Sequence, residues 1–311
     1  MNHVPSLLGT YWMIRRDAHR SMLATAMAIP PEGWQAKSRA SSADDSDDGS
    51  GGYQVKDGVA IISVYGPIYR HSSPINDFMS YLFGGISVDA ISRYLRSAVA
   101  DPDVRSILFR FDSPGGEAAG IAELAGKIRA ASAVKPIAAY AESSCCSAAY
   151  YLAAACLEIT AAPMSLVGSV GTVIPLVDDS KFQEMIGVID APIVSEQSPR
   201  KWPDITTEEG RNEYQLIANA LSAVFIADVA RYRGVDVPTV LANYGQGACL
   251  VGDSARKAGM VDKIGTLDDV LRKLSGPNRA RLAQSTQSAS ASLPLPSPIR
   301  ASLQPIARGR A

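Results

Sequence analysis

Hydrophobic positions along the chain alternate between strand-like runs and helical spacing, with glycine and proline at the switch points. Gly58–Tyr65 (GVAIISVY) is an apolar, β-branched run closed by Gly66-Pro67, and it predicts a strand. Val88–Ala100 sets Ile91, Tyr94, Leu95 and Val99 at helical spacing. Val104–Phe111 (VRSILFRF) predicts a second strand, followed by Asp112-Ser113-Pro114-Gly115-Gly116 and a helix from about Glu117 to Ala131. Pro136–Ala141 reads as a strand, Ser147–Cys156 as a helix and Leu157–Thr160 as a short strand. Further strands are predicted at Thr172–Leu176 and Pro192–Ser195.

The clearest helix runs from Thr207 to about Arg233. Tyr214, Ile217, Leu221, Val224, Phe225, Val229 and Tyr232 recur at helical spacing, Thr206 and Glu209 form a capping-box pattern, and Gly234 stops it. Val237–Asn243 is a second, short helix, and Asp253–Ala258 and Leu267–Leu274 are closing units. This alternation predicts an α/β fold with crossover helices.

The ends differ from the middle. Residues 1–36 read as an amphipathic N-terminal arm. Residues 37–52 (KSRASSADDSDDGSGG) form an acidic, Gly/Ser-rich linker expected to be disordered. From about Ser275 the chain is rich in Ser, Ala, Gln and Pro, with five Arg and no acid, and reads as a disordered basic tail over 275–311. The body expected to fold as one domain is 53–274.

Composition narrows the function. The 311 residues carry 30 basic and 31 acidic side chains, so no basic surplus points to nucleic acid. No apolar run reaches the roughly 18 residues of a membrane span, and the first twenty residues lack the order of a secretion signal. Cys145, Cys146, Cys156 and Cys249 show neither zinc-ligand nor disulfide-scaffold spacing. The expectation is a cytoplasmic protein with no metal and no cofactor. The three histidines are His3, His19 and His71, so the rest of the chain has no His-based proton shuttle.

Three local patterns carry candidate chemistry. Gly115-Gly116 lies between a strand and a helix, where backbone N–H groups can approach a ligand; alone it is a turn. Ser147 follows Ser143-Ser144-Cys145-Cys146 at a helix start, near free N–H donors; alone it is an N-cap. Gly168-Ser169-Val170-Gly171 is followed by Lys201 in Ser198-Pro199-Arg200-Lys201-Trp202-Pro203. Neighbouring prolines and a tryptophan would hold that lysine stiffly and partly desolvate it, which lowers a lysine's pKa; alone it is a surface lysine.

Together these patterns resemble the Ser/Lys signal peptide peptidase (protease IV) family, including the phage capsid-maturation proteases. The resemblance covers about residues 55–274, with Val251-Gly252-Asp253-Ser254-Ala255 similar to the family's closing unit. It implies a Clp protease/crotonase-like fold. It also implies a serine endopeptidase in which Ser147 is the nucleophile, Lys201 the general base and Ser169 the hydroxyl that positions the lysine. Backbone N–H groups of Gly116 and Ala148 would form the oxyanion hole, each donor typically worth about 10²–10³ in rate, with Gly115 and Gly116 binding substrate. It further implies a peptide or protein substrate, a homo-oligomer and capsid proteins as partners.

Two positions depart from the family pattern. Ala148-Ala149 stand where glycines are frequent, and Ser-Pro-Arg precedes the lysine where Gly-x-His is common. Other readings are a signal peptide peptidase, an inactive capsid-assembly scaffold, Lys181 as base, a His71–Asp112–Ser147 triad, and Cys146 as nucleophile. Cleavage of the chain by itself in 37–52 or after Ser275 is a further expectation.

Overall fold

The computed structural model describes residues 11–28, 52–71, 84–189 and 191–276. The linker 37–51 and the tail from 277 lie outside the described residues.

Three parallel strands form the spine, as the apolar runs predict: β3 (Val59–Tyr65), β6 (Ser106–Ser113) and β8 (Ile137–Cys146). Their crossovers pass through α2 (Val88–Ala100) and α3 (Ile121–Ala131). Side chains alternate across the sheet. Ala60, Ile62, Val64, Ile107, Phe109, Ile137 and Ala139 face the larger core with α2 and α3. Val59, Ile61, Leu108, Ala138 and Tyr140 face α9 (Leu267–Ser275) through Val270, Leu271 and Leu274. Both faces are therefore covered. The sheet extends through β10 (Leu166–Gly168) to β11 (Cys249–Val251) on one side and to β2 (Gln54–Lys56) on the other. A branch adds β9 (Glu158–Ala161) beside β8 and then β12 (Lys263–Ile264).

A second, four-stranded sheet has the order β1 (Trp12–Ile14), β7 (Gly115–Glu117), β4 (Ile68–Tyr69), β5 (Ile86–Ser87). It explains why α3 begins four residues later than its hydrophobic pattern suggests. Gly115–Glu117 are taken into this sheet, and Gly120, in the left-handed region at φ 81°, turns the chain into the helix. Within the N-terminal segment, Trp12 and Met13 are buried and α1 (Arg16–Ala28) follows directly.

The small-residue run after β8 forms α4 (Ala148–Ala154), and every residue of it is buried. Its two tyrosines fix it. Tyr150 donates to the Met260 carbonyl at 3.0 Å. Tyr151 donates to Asp228 and stacks on Phe225 at 4.6 Å. Both of those partners lie on the 26-residue α6 (Glu208–Arg233), which closes over α4. The cap of α6 differs from the expected Thr206–Glu209 box. Thr206 donates to Asp204 instead, and Thr207 accepts the Gly210 N–H at 3.0 Å. The chain then continues through α7 (Val237–Asn243) and α8 (Gly252–Lys257).

The strands expected at Thr172–Leu176 and Pro192–Ser195 do not form. Val173 makes one bridge, to Trp12, and Ile193 is fully exposed. β-Branched residues favour a pleated surface only where a neighbouring strand supplies packing. Here the sheet edge beside β10 is already taken by β11. One short helix, α5 (Ser180–Met185), breaks this segment and buries none of its residues.

Candidate active site

Ser147 stands where β8 ends and α4 begins. Its backbone is at φ 54°, ψ −116°, a conformation rare for an L-residue, of the kind that costs about 1–3 kcal/mol. Its N–H donates to the Gly168 carbonyl at 2.6 Å. The residue is 1% exposed, and among the described residues its hydroxyl makes no hydrogen bond. That disposes of the N-cap alternative, since a capping serine has extended φ/ψ and accepts an N–H of the first turn. A strained, buried, unpartnered hydroxyl stabilises nothing in the fold.

Strand pairing brings the glycine motifs to it. Register between β8 and β10 pairs Cys146 with Gly168, so Ser169 is the neighbour of Ser147 on the next strand. Ser169 is itself in the left-handed region at φ 56°, and its N–H is held by the Ala248 carbonyl at 2.9 Å. On the other side, β6 and β8 shift register between Phe111 and Ser113, which carries Gly115 onto Ser147. A Cβ placed on Gly115 would stand 2.9 Å from the Ser147 Cβ, and one on Gly116 would stand 1.9 Å from the Ile68 carbonyl oxygen. Both positions demand glycine for close approach. Ala148 begins α4, so its N–H has no intrahelical acceptor. Ser147, Ser169, Gly115, Gly116 and Ala148 are thus gathered by the sheet. A cleft of about 480 Å³ begins at the residue after Ser169, lined by Val170, Gly171, Thr172, Ser222, Val240 and Tyr244; none of the five site residues lines it.

Lys201 is not gathered in this way. It lies in the irregular segment before α6, exposed, and among the described residues its amine makes no hydrogen bond or ion pair. The desolvation expected from Pro199, Trp202 and Pro203 is absent; Trp202 itself is exposed. Lys181 is equally exposed, at the start of α5. The triad alternative does not assemble. His71 Nδ1 lies 2.7 Å from Asp89, and Asp112 accepts from Ser143.

The cysteines divide. Burial pushes the Cys145 thiol up and that of Cys156 to about 12, as expected of packing groups. The Cys146 thiol is instead brought down to about 7, by the Cys249 thiol 3.4 Å away and further by Ser144 and Arg15, against its burial. The Cys249 thiol rises through the same hydrogen bond. Both cysteines pair in register with Gly168, one from each side. The two thiols meet across the strand between them, and both are free. Sequence spacing carried no signal of this pair, because Gly168 alone lets the two side chains meet.

A serine on a strained strand-to-helix turn, flanked by paired glycines and a helix N-terminus, is the layout of the serine hydrolases. Residues 129–280 match the model of Peptidase family S49. It is 28% identical over 260 residues to a head-tail preconnector protein of Enterobacteria phage P21, covering 81% of this chain and 51% of that protein. It is 27% identical over 236 residues to the capsid assembly protease C of Escherichia phage lambda, covering 74% and 52%. The chain thus spans about half the length of these curated relatives. Among solved structures it is similar to a membrane protease specific for a stomatin homolog from Pyrococcus horikoshii. That match has 18% identity and TM-score 0.41, over 70% of this chain and 79% of that one. No helix among the described residues is long and apolar enough to cross a membrane.

Proposed function

We propose that the chain is a serine endopeptidase of the capsid-maturation type. Ser147 attacks the scissile carbonyl, the N–H groups of Gly116 and Ala148 receive the oxyanion, and Lys201, positioned by Ser169, takes the serine proton. The observation that carries this reading is the Ser147 hydroxyl, buried and without a partner, against Gly115. Serine attacks only when a base removes its proton, and the family resemblance gives that role to a lysine. The phage relatives favour capsid or scaffold proteins as substrates over membrane-released peptides.

A lysine works as a base only after water has been stripped from it. The segment 173–202 exposes Val177, Met185, Ile189, Ile193 and Trp202, an apolar surface too large to stay in water at no cost. A second copy of the chain packing against it would cover these residues and bring Lys201 toward Ser169. In this reading the nucleophile is built within one chain and the base is seated by assembly.

The test follows labelling by a fluorophosphonate and cleavage of a capsid protein by the full chain, by Ser147→Ala, by Lys201→Ala and by Lys181→Ala. Cleavage kept in the full chain and in Lys181→Ala and lost in Ser147→Ala and Lys201→Ala is the expected result. Cleavage surviving Ser147→Ala would remove the nucleophile assignment, and survival in Lys201→Ala with loss in Lys181→Ala would move the base.

A further inference from the structure

The strand paired with the glycine motif comes from the N-terminal segment. Met13 and Ile14 lie opposite Gly116 and Gly115 in antiparallel register. The flanking bonds set the phase of the ladder: Arg15 N–H donates to Pro114 at 3.0 Å, and Ala118 N–H donates to Tyr11 at 2.8 Å. Hydrogen-bonded and non-hydrogen-bonded pairs alternate in such a ladder, so Met13 and Gly116 are a hydrogen-bonded pair. The Gly116 N–H therefore donates to the Met13 carbonyl. The same carbonyl oxygen lies 2.1 Å from the point where a Gly115 Cβ would be, and the Ser147 Cβ lies 2.9 Å from that point. On its other edge the segment is held by Val173, whose N–H donates to Trp12 at 2.9 Å and whose carbonyl accepts from Trp12 at 3.0 Å. Arg15 closes the end, reaching Ser144 at 3.4 Å.

We propose that Tyr11–Arg15 is an intramolecular ligand of the peptide slot. It lies as an added strand between Gly115–Glu117 and Val173, with the Met13 carbonyl on the Gly116 donor, and it inhibits the site until displaced. The proposal rests on the reading of Ser147 and Gly116 given above and adds what occupies them. An extended chain bound by its backbone on both edges is how sheets take peptides. Because the ligand belongs to the same chain, its binding is intramolecular and can hold even where the contact is weak. The slot then selects substrates that can lie extended and present an apolar side chain where Met13, which is buried, now sits.

The experiment measures fluorophosphonate labelling of Ser147 in the full chain, in Trp12→Ala and in Met13→Pro, which lacks the Met13 N–H. A rate at least tenfold higher in the folded variants is expected, with the free peptide Tyr-Trp-Met-Ile-Arg returning it toward the wild-type rate. Equal rates, or a raised rate that the peptide does not reverse, would overturn the proposal. Hydrogen exchange of the wild type reads occupancy without any variant. Slow exchange at the Gly116 and Arg15 amides is expected, and unprotected rates there would overturn the proposal even if both variants fail to fold. Should Ser147 label in no form of the chain while those amides stay protected, the nucleophile reading fails and the strand's occupancy stands.

Discussion

The two regions that carry the proposed dyad differ sharply. Around Ser147 the packing is tight: Cys145 and Cys146 at the end of β8, Gly115 and Gly168 are buried, and every residue of α4 is inside the core. Around Lys201, between Val173 and the start of α6, side chains as large as Trp202 and Ile193 lie in solvent, and the one helix buries nothing. The first region stores strain that only a packed surrounding can hold. The second has apolar residues but no partner within the described chain. On the proposed reading, folding alone packs the surroundings of the nucleophile, while the base awaits a contact that assembly would supply.

The largest effect falls on the packed side. Ser147→Ala should lower peptide hydrolysis by roughly 10⁴–10⁶ and abolish fluorophosphonate labelling. The hydroxyl makes no hydrogen bond, so its removal leaves the melting temperature close to that of the wild type. A folded Ser147→Ala chain that still cleaves would break the comparison at its root. On the open side, Lys201→Ala should cost about 10²–10⁴ in rate, the usual worth of a general base, with no change in melting temperature because the side chain is exposed. Lys201→Arg should not restore activity, since a guanidinium stays protonated. Activity per chain that falls on dilution, with labelling falling in step, would tie the base to assembly; activity independent of concentration would show that one chain seats Lys201 unaided.

Glycines sharpen the packing half of the contrast. A Cβ on Gly116 would meet the Ile68 carbonyl oxygen at 1.9 Å, and neither backbone can yield. Gly116→Ala should therefore destabilise by about 3 kcal/mol, the upper range for overpacking. Gly126, on the exposed face of α3, has nothing within 4 Å of its added Cβ. Gly126→Ala should stabilise by roughly 0.5–1 kcal/mol. Thermal melts of the two variants, moving in opposite directions, separate a glycine needed for close approach from one that is not.

Legibility followed the same divide. The strands β3, β6 and β8 were readable because burial on both faces leaves near-continuous apolar runs. The motifs around Ser147, Gly116 and Ser169 were readable as chain turns because they follow β8, β6 and β10; their roles belong to the proposal. The pairing of Trp12–Ile14 with Gly115–Glu117 was not readable: three residues far from their partner carry no periodicity, and the late start of α3 shows only once the partner strand is known. Thr172–Leu176 and Pro192–Ser195 failed for the opposite reason, since their composition suits a strand but no edge receives them. Lys201 was legible as a residue, while its desolvation depends on contacts that the chain's own described residues do not make.

The smallest effect concerns charge on the packed side. Glu117 lies on β7 opposite Trp12, and burial raises its carboxyl above the ordinary 4.5, against the pull of the Arg70 N–H at 3.1 Å. A carboxyl raised in the folded state binds its proton more tightly there than in the unfolded chain. Between the ordinary value and the raised one, the unfolded chain therefore loses its proton first, and stability falls as pH rises. Below 4.5 both states are protonated and nothing is lost. Glu117→Gln keeps an acceptor for the Arg70 N–H and removes the charge. It should raise the melting temperature at about pH 7 by a small margin, and the gain should vanish near pH 4. Glu213, paired with Arg200 next to the open segment, gives the control. A pair with one partner in solvent contributes little, so Glu213→Gln should leave the melt unmoved at either pH. A gain for Glu117→Gln that persisted in acid would mean that something other than the buried charge, such as tighter packing against β1, sets the stability of this strand.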